Sequence, residues 1–290
     1  MEHSVQLGTQ YYRESICSRL LELRDREKLP FQIIEHQHGK RWIIKCQFQD
    51  HSLEATENEA MVQKIHRYYL ANALAETILH HWEKDHVIQI LKKRQYQKQN
   101  NWQVILNKAL DYLNNGLGQV QGYHVNRKTI LVTQILSCLA QSTVFDIEGF
   151  LKFRAHEYRN EVSKAVEYAI DEYVLEKEYL EFIQLLKHFV DSQRPRLESL
   201  HVGMTPQGKF HLYNSEGVKV THHFLEDYQL DNIHELGYED LLVSALIAVA
   251  PRQITLHIRY DGYKDTLQTI RSVFGDRVCD CKGCSLCEKF

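Results

Sequence analysis

From Gln10 to Phe48 the spacing of apolar residues changes from a helical period to a strand-like one. Tyr12, Ile16, Leu20 and Leu23 recur every three or four residues, which aligns them on one helix face. The following "FQIIEHQHGKRWIIKCQF" is rich in Ile, Phe and Trp and reads as two strands around a turn near His38 and Gly39. With "HSVQL" as a short leading strand, residues 1–52 are expected to form a β-α-β-β region.

Residues 53–194 return to the helical period. Thr56 and Glu59 have the spacing of a capping box, in which hydroxyl and carboxylate satisfy early amides. The apolar face that follows runs from Met61 through Leu79 and on to Val87, Ile88 and Leu91. Two further helices are expected at about Trp102–Leu113 and Arg127–Ala140, separated by the glycine-containing "NNGLGQVQGYH". A long helical segment should then run from Ile147 to Val190, with Asp146 as N-cap and a break near Glu176–Glu178. Pro195 ends it, because the residue before a proline is pushed away from helical geometry.

Strand patterns resume in residues 195–290. "LESLHVGM" and "KFHLYNS" flank "TPQG" as a hairpin. A helix at Tyr238–Ala250, a strand in "QITLHIRY", a helix from Lys264 to Phe274 stopped by Gly275 and a short strand at Arg277–Cys281 complete the chain. The last β-α-β should be a right-handed crossover with parallel strands, if both lie in one sheet. The fold class is therefore helix-rich α+β, a helical centre between two small mixed regions. Whether these share one sheet is left open by the pattern.

A hydrophobic fraction of 43% against 25% charged residues is the balance of a folded protein with a sizeable core. The net charge of -3 gives no overall attraction to nucleic acid or anionic membrane. "MEHSVQLGTQ" lacks the basic start and apolar stretch of an export signal, so a cytoplasmic location without membrane insertion is expected. The apolar run "LLVSALIAVA" is half the length a membrane helix needs.

Four of the seven cysteines fall in "CDCKGCSLC". In a reducing compartment, such a cluster serves metal binding or redox chemistry more often than structural disulfides. Cys279 and Cys281 lie on one face if the last strand persists, and a turn at Lys282 and Gly283 brings Cys284 and Cys287 back toward them. Cys279, Cys281, Cys284 and Cys287 are thus candidate zinc ligands. Cys281, Cys284 and Cys287 also match the C-x2-C-x2-C part of a ferredoxin-type iron-sulfur pattern, which Cys279, Cys17, Cys46, Cys138 or a second chain would have to complete. Thiol-disulfide exchange within C-x2-C is a third use.

Other signals are weaker. The pairs His80–His81 and His222–His223, and the neighbours His36 and His38, match no metalloprotease motif; "HEYRNE" and "HELGYE" lack the second histidine. Glu157 and Glu161 share a helix face, as solvated carboxylates commonly do. Lys92, Lys93, Arg94 and Lys98 around Tyr96 and Trp102 form a basic, aromatic stretch able to hold phosphates and stack on bases, but cations complementing a helix C-terminus are the preferred reading and nucleic acid is not the expected partner. No phosphate loop, dinucleotide fingerprint or nucleophile elbow occurs, so no reaction is indicated.

"EGFLKFR" and "EKEYLEFIQLLKHFV" within residues 148–202, together with the closing "KGCSLC", resemble the YtxC-like family of sporulation proteins. This resemblance implies a cytosolic, sporulation-associated protein and little more; the missing catalytic motifs are what make a non-enzymatic or regulatory role, with an unidentified protein partner, the expectation. The resemblance transfers no catalytic residue. Through "KGCSLC" it carries Cys284 and Cys287, whereas Cys279 and Cys281 rest on spacing.

Overall fold

Strand β1 (His3–Thr9), helix α1 (Arg13–Glu27) and the hairpin β2 (Phe31–His38) and β3 (Arg41–Phe48) follow the expected order. They are seen in a computed structural model that describes residues 3–48, 56–96, 101–116, 123–205, 210–220, 238–258 and 263–289. By packing, the chain divides into two units, Met1–Val174 and Leu175–Phe290.

In the first unit the strand order is β2-β3-β1-β4, where β4 is the three-residue Val144–Asp146, parallel to β1. The other pairings are antiparallel. Alternation buries Val5, Leu7 and Thr9 of β1 and Ile44, Cys46 and Phe48 of β3. Ile16, Leu20 and Leu23 of α1 join the same core. So does α2 (Thr56–Thr77), whose Ala71, Ala73 and Ala75 let neighbouring helices approach. The expected capping box at Thr56 and Glu59 lies outside the described side chains.

Five residues of π-helix, Ile78–Trp82, separate α2 from α3 (Glu83–Lys93). Then come α4 (Trp102–Asn115), α5 (Tyr123–Gln141), α6 (Ile147–Phe153) and α7 (His156–Ser192). The break expected at Glu176–Glu178 is instead at Arg154–Ala155, where both amides bond to the Phe150 carbonyl and close α6. Through residues 176–178 the helix continues, supported there by the Lys177–Glu181 pair one turn apart.

Asp146 caps α6 as expected: its Oδ1 accepts from Gly149 N–H at 2.7 Å. A Cβ at Gly149 would lie 2.9 Å from that oxygen, so the carboxylate takes the place a side chain would occupy. Its other oxygen pairs with Arg41 of β3. Asp146→Ala should therefore cost about 1–2 kcal/mol in urea unfolding followed by tryptophan fluorescence, whereas Asp146→Asn should retain most of the cap.

The second unit has its own sheet, β6-β5-β7-β8, so the two mixed regions do not share one. β5 (Ser199–Met204) and β6 (Phe210–Asn214) form the antiparallel hairpin, while β7 (Gln253–His257) and β8 (Val278–Asp280) are added in parallel. Leu200, Val202, Ile254 and Leu256 face a core completed by α8 (Tyr238–Val249), α9 (Lys264–Phe274) and Ile183 and Val190 of α7. α9 ends at Gly275 with φ +52°. The hairpin turn at residues 206–209 lies outside the described residues.

Candidate metal centre

The alternation that buries Ile254 and Leu256 turns Thr255 and His257 to the opposite face of the second sheet. The register places His201 of β5 and Cys279 of β8 opposite Thr255. Cys281 follows at the end of β8, its amide bonded to the Leu256 carbonyl at 2.9 Å. The polar face thus converges on the C-terminal ends of β7 and β8.

The chain then turns back. Gly283 has φ +116°, a backbone state that disfavours side-chain-bearing residues, and its amide points at Cys281 Sγ from 3.4 Å. A short 3-10 turn, Ser285–Lys289, returns Cys287 toward the sheet. Leu286 lies over Gly217 in the turn after β6, at 3.6 Å from a Cβ built there.

One ligand atom each from His257, Cys281, Cys284 and Cys287 comes together, all within 4.8 Å of one another. Cys287 is central: its Sγ is 3.2 Å from His257 Nδ1, 3.6 Å from Cys281 Sγ and 3.9 Å from Cys284 Sγ. Cys284 Sγ is 3.8 Å from the same imidazole nitrogen. A tetrahedral ion with Zn–S bonds near 2.3 Å and Zn–N bonds near 2.0 Å has S···S edges of about 3.8 Å and N···S edges of about 3.5 Å. The four measured edges scatter around these values.

The other imidazole nitrogen is also engaged. His257 Nε2 and His201 Nδ1 are 3.1 Å apart, and burial, with His201 beside it, holds His257 below the ordinary histidine pKa. His257 Nε2–H donating to a neutral His201 leaves the Nδ1 lone pair facing the thiols. This is how an outer imidazole fixes the tautomer and orientation of a metal-ligating one.

The thiols influence one another. The Gly283 amide favours the Cys281 thiolate, but desolvation and the adjacent Cys284 and Cys287 prevail and push its pKa up. Burial opposes ionisation of Cys284, yet the Leu286 amide and the neighbouring thiols bring its pKa below the usual value. Crowding by its neighbours therefore opposes the Cys281 thiolate. A central dication reverses that balance.

The structure does not bring Cys279, the first of the four sequence candidates, into this group. Its Sγ sits 3.5 Å from Thr255 Oγ1 and 3.6 Å from Gln253 Nε2, one side-chain step back along the strands. The fourth candidate donor is His257, which sequence reading missed. Cys17, Cys46 and Cys138 belong to the first unit. Burial pushes Cys17 to about 11 and Cys46 to about 12, so both stay protonated at neutral pH.

In the basic stretch, Lys92 and Lys93 occupy the last turn of α3 and Arg94 pairs with Glu167 at 2.6 Å. Tyr96 and Trp102 pack against the core of the first unit, and Lys98 lies outside the described residues. His36, His38, His80, His81 and Glu157 are exposed and Glu161 is half-buried; His222 and His223 lie outside the described residues.

The model of the YtxC-like family matches residues 68–279, more than half of the chain and a range that includes His201 and His257. The uncharacterized protein YtxC of Bacillus subtilis (strain 168) is 29% identical over 161 residues. That alignment covers 53% of this chain and 54% of the relative, so it spans about half of each. No solved structure matches.

Proposed function

From a chain that belongs to the YtxC-like family, we propose a sporulation-associated, cytosolic, non-enzymatic or regulatory protein whose C-terminal unit binds one zinc ion. His257 Nδ1 and the thiolates of Cys281, Cys284 and Cys287 hold the ion. The observation that carries this reading is the spacing of those four atoms, which fits the edges of a single-ion tetrahedron. With all four positions filled by protein, such an ion is structural or regulatory, since a catalytic zinc keeps a position open for water. The sporulation association and cytosolic location rest on the family resemblance. Among the described residues, no helix is long and apolar enough to cross a membrane.

An iron-sulfur cluster fits less well. Several irons between the cysteines would hold their sulfurs farther apart than one ion does, and a histidine among the ligands is the rarer arrangement.

The test is elemental analysis with a visible spectrum on untagged protein purified anaerobically. About one zinc per chain and a colourless solution are expected, with the stoichiometry unchanged in Cys279→Ser and lost in Cys287→Ser. Iron with sulfide and a brown colour would replace zinc by a cluster. Loss of zinc in Cys279→Ser would contradict the ligand set.

A further inference from the structure

The C-terminal half of α7 carries more apolar surface than its own core uses. Ile183 and Val190 are buried in the second unit. Leu175, Phe182, Leu185 and Phe189 are nevertheless 65%, 55%, 68% and 54% exposed. Leu175, Phe182 and Phe189 are spaced by sevens, so they form one stripe along the helix with Leu185 beside it. Contiguous exposed apolar surface of this kind marks an interaction site.

Phe182 of this stripe also lines a groove of about 450 Å³, whose lining among the described residues belongs to the second unit. α7 contributes Tyr179, Phe182 and Leu186 to one wall, and α8 contributes Val243 and Ile247 to the other. Among the described residues, the charged ones lining the groove are Asp240 of α8 and Asp265 of α9, both exposed. Along the outer edge of the stripe stand the exposed Glu178 and Glu181, the latter 3.6 Å from Lys177. Acidic side chains therefore line the groove and stand beside the stripe, with Lys177 and the exposed Lys264 as neighbouring cations.

We propose that this groove docks an amphipathic helix of a partner protein, with apolar residues at i, i+3, i+4 and i+7 and Lys or Arg along its flanks. The apolar anchors supply contact, and the acidic rims select the sign of the partner's charge. A second copy of α7 is a poor occupant, since it would bring its own Glu178 and Glu181 to acidic rims. The chain's residues 221–237 carry four carboxylates and no Lys or Arg, so their charge is wrong as well.

Two fluorescein-labelled synthetic peptides of about 18 residues, with one leucine face and either lysine or glutamate flanks, are the probes. Fluorescence anisotropy with the full chain should show the lysine peptide binding at least tenfold more tightly at low salt. Phe182→Ser with Leu185→Ser should weaken it at least tenfold, at unchanged circular dichroism. Asp240→Lys with Asp265→Lys should abolish or invert the preference, and decides the matter alone if the serine variant fails to fold. Equal binding of both peptides, or a preference indifferent to the charge reversal, overturns the proposal. So does sedimentation of the full chain as a dimer that Leu185→Ser dissociates, which would make a second copy the occupant.

Discussion

Cys287→Ser should abolish zinc binding and lower the unfolding midpoint of the second unit, more than Cys284→Ser does. Cys287 is within 3.9 Å of each partner with a measured distance, whereas Cys284 is exposed at the edge of the cluster. An ion held by these four groups would join the end of β8 and the following turn to His257 of β7, so its loss would free both. With zinc at a thousand times its dissociation constant, the linkage is worth about 4 kcal/mol. All three tryptophans, Trp42, Trp82 and Trp102, lie in the first unit. Urea unfolding of wild type with excess chelator should therefore shift part of the far-ultraviolet circular dichroism transition and leave tryptophan fluorescence in place. Superimposable curves with and without chelator would remove the stabilising role of the metal.

Arg127→Met should destabilise the first unit by roughly 3–5 kcal/mol, and Arg127→Met with Glu83→Leu should restore most of the loss. Glu83 is 2% exposed and Arg127 1%, with 2.6 Å between Oε2 and Nη1. Tyr158, also buried, donates its hydroxyl to the same carboxylate oxygen. Burial is the largest influence on Glu83 and pushes its pKa up, against the pull of Arg127 and Tyr158. Removing the guanidinium leaves that desolvation uncompensated. Removing both charges replaces an ion pair with apolar packing, often a neutral change. Trp82, with its ring 5.8 Å from that of Tyr158, is a local probe for the urea titration. A single variant within 1 kcal/mol of wild type would mean that water or another group takes over the charge.

What the sequence made legible follows from how local each signal is. The β-α-β-β start, the Asp146 cap and the order of elements after Leu197 all rest on neighbours a few residues apart. β4 is only three residues long and gains its partners from β1, far away in sequence, so periodicity had nothing to register. The α6–α7 break lacks Gly and Pro and is made by two amides sharing one carbonyl. At the candidate metal centre, three thiols were visible as a cluster. His257 was hidden as the last residue of an ordinary strand, one of seventeen histidines, and only the parallel register beside β8 brings it to them. Its one local signature was a histidine in step with Thr255 on the polar side of "QITLH". Cys279 shows the converse: sharing a face with Cys281 does not make it a neighbour of the ligands.

The π-helical turn at Ile78–Trp82 decides which side of α3 meets the core. A wider turn absorbs one more residue than an α-helical path would. Were α2 to run straight into α3, each inward position would be filled one residue earlier, and Trp82, His86 and Ile90 would stand where Glu83, Val87 and Leu91 are buried. The bulge acts as a phase shifter: it delivers a carboxylate to Arg127 and leaves Trp82 and His86 stacked 4.4 Å apart at the edge of the core.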